Sequence, residues 1–372
     1  MTATETSISL PTALLPKDGR FGSGPSKVRP EAIHALSSLA QDYLGTSHRQ
    51  ATVKDQVARL RTGLMNLFDL PDGWEIVLGN GGTTLFWDAA SFGLIEYASQ
   101  HLAFGEFSSK FAKVVQAAPH LAEPQIISSE PGTHPLPIAS NVDTYALTHN
   151  ETSTGVSAVL SRPTSEGLVL VDATSAAGAI QWNSSEVDCY YFAPQKALAS
   201  DGGLWLAACS PRAVERIELL ASGDRWIPAG LDLGIALTNS RQNQTYNTPS
   251  LATIFLTAET VDWINESGGL QWSEARCRAS SDTIYQWADA RPFAEPFVID
   301  AGQRSPVVCT IDFDGVEADA ISRVLRANGI LDTESYRKLG RNQLRIATFP
   351  AVDPDDVRAL CACIDYIVES LT

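Results

Sequence analysis

From about residue 54 the chain alternates short, almost wholly apolar runs with longer segments of helical periodicity, and this rhythm limits its possible folds more than any other feature. An apolar run of four or five residues has no solvent face, so such strands need cover on both sides. A mainly parallel sheet between two layers of helices supplies it. Strands are predicted at Glu75 to Leu78, His101 to Phe104, Gln125 to Ile127, Tyr145 to Thr148, Leu168 to Val171, Cys189 to Phe192 and Leu204 to Ala208. After the proline-containing stretch Asn247 to Ser250, a helix over Ile254 to Asn265 leads to Gly268-Gly269, and the rhythm changes. Beyond it, strands at Val307 to Phe313 and Leu344 to Phe349 accompany a helix over Ala318 to Ala327 that stops at Asn328-Gly329. A last helix follows the N-cap Asp353 and Pro354, with Val357, Leu360, Cys361, Ile364, Ile367, Val368 and Leu371 on one face. At 372 residues the chain exceeds what one core usually supports. The division expected is an N-terminal arm over 1–20, a large α/β domain over 21–255 and a smaller C-terminal α+β domain over 256–372.

A net charge of −16 sets up a field that repels nucleic acid and anionic membrane surfaces, so neither is expected as a partner. A small anionic substrate would need local arginines or lysines. The opening MTATETSISLPTALLP lacks a basic region followed by an apolar run, and no later stretch is apolar enough to span a bilayer, so a cytoplasmic location is expected. Six scattered cysteines, without CxxC spacing, indicate neither a zinc site nor a disulfide framework, and no metal is expected.

The chemistry concentrates at two predicted strand ends. The run Val169 to Ser175 delivers Asp172 at the C-terminal end of one strand, and Asp188 to Lys196 delivers Lys196 after the next. That edge of an open α/β sheet is where ligands bind. A carboxylate can keep a heterocyclic nitrogen protonated, and a lysine amine can form a Schiff base with an aldehyde. Together they describe a site for pyridoxal 5'-phosphate. Taken singly, Asp172 also reads as a turn former and Lys196 as a solvated loop residue. Gly79-Asn80-Gly81-Gly82-Thr83-Thr84 lies between a strand and a helix, where backbone N–H groups and hydroxyls could cradle the cofactor phosphate; an ordinary strand-to-helix turn has the same composition. Arg337, Lys338, Arg341 and Arg345 crowd into nine residues of an acidic chain, either as an anion site or as a solvated positive face.

Six segments then occur in a fixed order: FGSGPSKV (21–28), GTSHR (45–49), HNETSTG (149–155), VDATS (171–175), YYFAPQK (190–196) and YNTPS (246–250). In these the chain resembles the phosphoserine aminotransferases of actinobacterial type, in the class V group of fold-type I pyridoxal-phosphate enzymes, from about Gly19 to Leu371. The resemblance implies a large domain with a mainly parallel seven-stranded sheet and a small α+β C-terminal domain. It implies that Lys196 holds the cofactor covalently and then moves the proton, with Asp172 on the pyridinium nitrogen and Phe107 stacked on the ring. Thr83, Thr84 and Gln195 correspond to phosphate ligands, and Thr152 to the hydroxyl on the cofactor's phenolic oxygen. Asn247 and Thr248 correspond to the pair that reaches the phosphate bound by a neighbouring subunit, which implies a homodimer with shared sites. Arg345 corresponds to the clamp on the substrate α-carboxylate, and His48 with Arg49 to the group holding the distal phosphate or carboxylate. Some members have a His-Arg pair where this chain has Tyr336-Arg337, so Arg337 falls in the substrate set with an altered neighbour.

The activity implied is ping-pong transamination between L-glutamate and 3-phosphohydroxypyruvate, giving 2-oxoglutarate and O-phospho-L-serine. Serine biosynthesis is the expected setting, with a related use in pyridoxine biosynthesis. Two alternatives compete: another class V chemistry, such as an aminotransferase of different specificity or a cysteine desulfurase with a reactive loop cysteine, and a pyridoxal-phosphate-binding regulator without turnover.

Overall fold

The computed structural model describes residues 8–371; the first seven residues of the expected arm lie outside it. Twelve strands and ten α-helices follow one another among the described residues. Strands β1 (Glu75–Asn80), β2 (Ser99–Ala103), β3 (Gln125–Ser128), β4 (Thr144–Thr148), β5 (Asn150–Glu151), β6 (Val156–Ser157), β7 (Leu168–Asp172), β8 (Cys189–Phe192) and β9 (Leu204–Cys209) precede β10 (Ala294–Pro296), β11 (Val308–Phe313) and β12 (Gln343–Ala347). Helices are α1 (Pro30–Tyr43), α2 (Ala51–Leu67), α3 (Thr83–Gly93), α4 (Glu106–Ala117), α5 (Pro211–Ala221), α6 (Leu233–Arg241), α7 (Leu251–Ser267), α8 (Gly269–Asp289), α9 (Ala318–Ala327) and α10 (Pro354–Leu371).

All seven predicted strands of the large sheet form, in the order β1-β9-β8-β7-β4-β2-β3. Only β9 runs against its neighbours, so β1, β4, β7 and β8 point their C-terminal ends to the same edge. Side chains alternate between faces, and both faces are covered. Ile76, Leu78, Val169, Val171, Tyr190 and Phe192 pack with α2 and α7. Val77, Leu168, Leu170, Cys189 and Tyr191 pack on the other side with α3, α4, α5 and α6. This two-sided burial is the reason β4, β7, β8 and β9 read as nearly continuous apolar runs, while β3 lies exposed at the sheet edge.

A second core gathers on the three-stranded antiparallel sheet β10-β11-β12. The apolar faces of α9 and α10 supply Ile321, Leu325, Leu360, Ile364 and Ile367, all fully buried. Helix α10 starts where predicted: the Asp353 carboxylate accepts the Asp355 backbone N–H at 2.9 Å, and Pro354 occupies the first helical position. The described part of the arm belongs to this core, because Leu10 and Phe21 are buried in it and the Leu10 N–H donates to the Asn328 side-chain oxygen at 3.0 Å. Strand β10 and helices α1 and α8 are additions to the predicted elements. Among the described residues no helix is long and apolar enough to cross a membrane.

Ile364 is completely buried between α10 and the small sheet. Its truncation in Ile364→Ala is expected to destabilise the protein by about 2–5 kcal/mol, the usual cost of an unfilled core cavity. Urea unfolding reads this directly, and a loss well under about 1 kcal/mol would contradict the packing described.

Candidate active site

A cavity of about 340 Å³ opens at the C-terminal edge of the large sheet. Thr83, Thr84, Trp87, Phe107, Thr152, Asp172, Gln195 and Lys196 all line it. Residues more than a hundred positions apart meet there because four parallel strands end at one edge.

Lys196 arrives on the loop after β8, and that loop is fixed by the segment around Ser23. The Ser26 N–H donates to the Gln195 carbonyl at 2.9 Å, and the Ser26 hydroxyl donates to the Lys196 carbonyl at 2.5 Å. Lys196, 9% exposed as a residue, donates from its amine to the Ser23 carbonyl at 2.5 Å. A Cβ on Gly24 would lie 2.0 Å from Lys196 Nζ, so only glycine lets the backbone pass this close. Burial, reinforced by the nearby Arg345 guanidinium, lowers the amine from its ordinary 10.5 to about 7.

Asp172 ends β7 and is also buried. One carboxylate oxygen accepts the Thr174 N–H at 2.9 Å and its hydroxyl at 2.5 Å, and the other accepts the Trp87 indole N–H at 3.3 Å. Burial raises its pKa to about 6 against the opposing effect of these bonds. The group is therefore ionised at neutral pH, and a cationic partner would hold it more firmly so.

The glycine turn lies between β1 and α3. Gly82 caps α3, and the N–H groups of Leu85 and Phe86 take its carbonyl at 3.0 and 3.1 Å. The preceding N–H groups, of Thr83 and Thr84, have no acceptor within the helix and lie where both residues line the cavity. Phe107 forms part of the cavity wall in the first turn of α4, its ring centre 5.9 Å from Lys196 Nζ and 6.0 Å from the Tyr336 ring. The Thr152 hydroxyl donates to Ser175 Oγ at 2.9 Å.

The four clustered cations separate by role. Arg341 is tied to Asp312 and Lys338 to Glu106. Arg337 is exposed. Arg345 does not itself line the cavity but bonds a residue that does: Nη1 donates to the Thr152 carbonyl at 3.3 Å and the guanidinium lies 5.3 Å from the Tyr336 ring centre, while Nε is buried without a partner.

His48, Arg49, Asn247 and Thr248 are not among the residues lining the cavity of this single chain. They form a separate group, with Arg49 Nη1 donating to Gln244 Oε1 at 2.9 Å and His48 Nδ1 lying 3.3 Å from Thr248 Oγ1. The Thr248 carbonyl accepts the Asn80 amide at 2.8 Å, which links this group to the glycine turn.

Trp87, Thr174 and Gly24 were missed by sequence reasoning. Trp87 stands one helical turn after Thr83, on the same face, and that i,i+4 spacing could have found it. Thr174 stands two residues after Asp172, the spacing of a local side-chain-to-backbone turn.

The residues present suit pyridoxal phosphate. A buried carboxylate, an aromatic wall and an amine share one small cavity, and unused N–H groups at a helix start suit a phosphate. A buried, unpartnered oxygen of Gln195 also remains. Cysteine chemistry finds no support, because all six cysteines are buried and burial pushes Cys309 and Cys361 up to about 12.

The class-V aminotransferase model matches residues 20–333, a span that contains Asp172 and Lys196. The chain belongs to the class-V aminotransferase family. Pyridoxal phosphate is accordingly the cofactor of this aminotransferase. The chain is 57% identical over 370 residues to a phosphoserine aminotransferase of a Nocardioides species, covering 98% of this chain and 99% of that one. It is 53% identical over 366 residues to a phosphoserine aminotransferase of Rhodococcus jostii, covering 97% and 98%. Among solved structures, a phosphoserine aminotransferase of Cytophaga hutchinsonii superposes with a TM-score of 0.87 at 22% identity, over 94% of this chain and 99% of that one. An aspartate aminotransferase of Thermus thermophilus gives 0.82 at 21%, over 95% and 99%, so the likeness between structures establishes the fold alone.

With its midpoint near 7, the Lys196 amine is cationic below that pH and nucleophilic above it. In cofactor-free protein, acetic anhydride should therefore acylate Lys196 at a rate that rises with pH and levels off above about 8. Mass spectrometry of the Lys196 peptide measures this, and a rate still climbing steeply at pH 10 would contradict the depressed value.

Proposed function

We propose that this aminotransferase moves the amino group of L-glutamate to 3-phosphohydroxypyruvate, forming 2-oxoglutarate and O-phospho-L-serine in the cytoplasmic synthesis of serine. The observation that carries the reading is the meeting of Lys196, Asp172 and Phe107 in one cavity, with Arg345 bonded to the carbonyl of its lining residue Thr152. The likeness to the Nocardioides and Rhodococcus enzymes supports the substrate pair.

Pyridoxal phosphate, when bound, supplies an electron sink for the pair left on the substrate α-carbon. The protein does the rest. Lys196 would hold the cofactor until substrate displaces it, and the fraction of its amine that is neutral near pH 7 would then carry the proton between the substrate α-carbon and the cofactor carbon across the imine nitrogen. Asp172, locked by Thr174 and Trp87, would keep a proton on the ring nitrogen. Phe107 would cover one ring face, Thr152 would bond the phenolic oxygen, and Thr83, Thr84 and Gln195 would hold the phosphate. Arg345 takes the α-carboxylate in a bidentate pair; its depressed pKa reflects the burial that a substrate carboxylate would offset.

Residues outside the single-chain cavity support a homodimer. Asn247 and Thr248 are exposed in the single chain yet adjoin Asn80, so a neighbouring copy's cavity is where they would act. Arg49 and Arg337, both exposed, and the half-buried His48 would grip the distal phosphate of the substrate. The second core, which apart from Leu10 and Phe21 runs from Ile284 to Val368, supports a smaller C-terminal unit within the expected 256–372. Ala258, Val261 and Ile264 of α7 instead pack in the core of the large unit expected over 21–255, with the arm over 1–20 before it.

The test is to mix purified protein with glutamate and 3-phosphohydroxypyruvate and measure 2-oxoglutarate. Turnover dependent on both substrates is expected, and its absence overturns the assignment. In the same assay Arg345→Ala should raise the glutamate KM by about tenfold or more, the worth of a charge-assisted pair, and an unchanged KM removes the carboxylate role.

A further inference from the structure

We propose that Glu151 is a positioning residue for the cofactor ring: its carboxylate clamps the first turn of α4 and so fixes Phe107 against the cavity wall. The proposal rests on the reading of Phe107 as the ring's platform.

Glu151 is completely buried on β5 and lies between two residues that line the cavity, Asn150 and Thr152. Alternation along an extended segment turns Glu151 the other way, toward α4. There its Oε2 accepts the Ser108 backbone N–H and the Ser108 hydroxyl, each at 2.9 Å. Its Oε1 accepts the Ser153 hydroxyl at 2.7 Å, the Ser153 N–H at 3.2 Å and the Phe107 N–H at 3.4 Å. The Ser153 hydroxyl in turn accepts the Glu106 N–H at 3.0 Å. The first three residues of α4 are thus bonded to this carboxylate or to a hydroxyl it holds, at the helix end where unused N–H groups favour a negative charge.

The approach is built for. A Cβ on Gly105, the residue capping α4, would lie 2.3 Å from Glu151 Cγ and 2.4 Å from its Cδ, so a side chain there would expel the carboxylate. Capping a helix needs only an exposed serine or aspartate. A buried carboxylate is a costly substitute, and what it secures here is the turn that carries Phe107 beside Lys196. Without the clamp this first turn would fray as helix ends do, and the ring of Phe107 would lose its fixed orientation.

A double-mutant cycle tests this on the full chain. Dissociation constants for pyridoxal phosphate are measured by titrating cofactor-free wild type, Glu151→Gln, Phe107→Ala and the double variant, with thermal midpoints recorded to establish that each is folded. The expectation is that Glu151→Gln weakens cofactor binding about tenfold in the wild-type background and less than twofold in the Phe107→Ala background. Glu151→Asp, which keeps the charge, should recover part of the loss. Equal losses in both backgrounds, or none in either, overturn the proposal while leaving Phe107 in its role. If Phe107→Ala alone binds the cofactor as wild type does, the platform reading fails first and the proposal with it. Should Glu151→Gln not fold, Ser108→Ala removes the hydroxyl bond to the Glu151 carboxylate and keeps the backbone one. It carries the same cycle with an expected loss of about threefold, and equal losses in both backgrounds again overturn the proposal.

Discussion

A lysine amine held out of water must give up charge or find a counter-charge, and the architecture around Lys196 is arranged so that it gives up charge. Its hydrogen bond goes to a neutral carbonyl, that of Ser23, and the largest effect of any charge on it is that of another cation, Arg345. Both choices favour the neutral amine. Asp172 stands in the same cavity, but its oxygens are occupied by Thr174 and Trp87 rather than by the amine. The two groups are therefore kept from neutralising each other as a salt bridge, which leaves each free to face a different part of one small heterocycle.

That separation is a property of the sheet. Parallel strands release their chain ends at one edge, and the strand spacing sets the distance between what they carry. Asp172 ends β7 and Lys196 follows the adjacent β8. The tie from Ser26 to the Lys196 loop then fixes the amine from above, and Glu151 fixes the start of α4 from the side. The small sheet contributes through β12, whose Arg345 reaches the Thr152 carbonyl and so couples the second core to the cavity.

Sequence legibility followed burial. The inner strands β4, β7, β8 and β9 were readable because they are buried along their whole length, the edge strand β3 only from Ile126 and Ile127, and α10 because its apolar stripe is unbroken from Val357 to Val368. Strand β10 was not: it is three residues long, with Glu295 exposed and Pro296 inside it. Helix α1 buries only Ala32 and Tyr43 and leaves Ile33 exposed, so its apolar residues do not mark a face. Helix α8 buries Ser273, Glu274, Ser280 and Ser281, polar residues that a hydrophobic pattern cannot flag. Within the site, Lys196 and Asp172 were visible from strand ends and chemistry alone. Trp87 and Glu151 were not, since each acts through a residue distant in sequence, Asp172 at 85 positions and Ser108 at 43.

The central claim is that this one amine, among all the lysines of the chain, carries the cofactor. Borohydride reduction of the protein loaded with pyridoxal phosphate, followed by peptide mapping, tests it most directly, because reduction makes the link to the cofactor permanent. A single phosphopyridoxyl group on the peptide containing Lys196 is the result expected. Label on another lysine, or spread over several, would contradict the account.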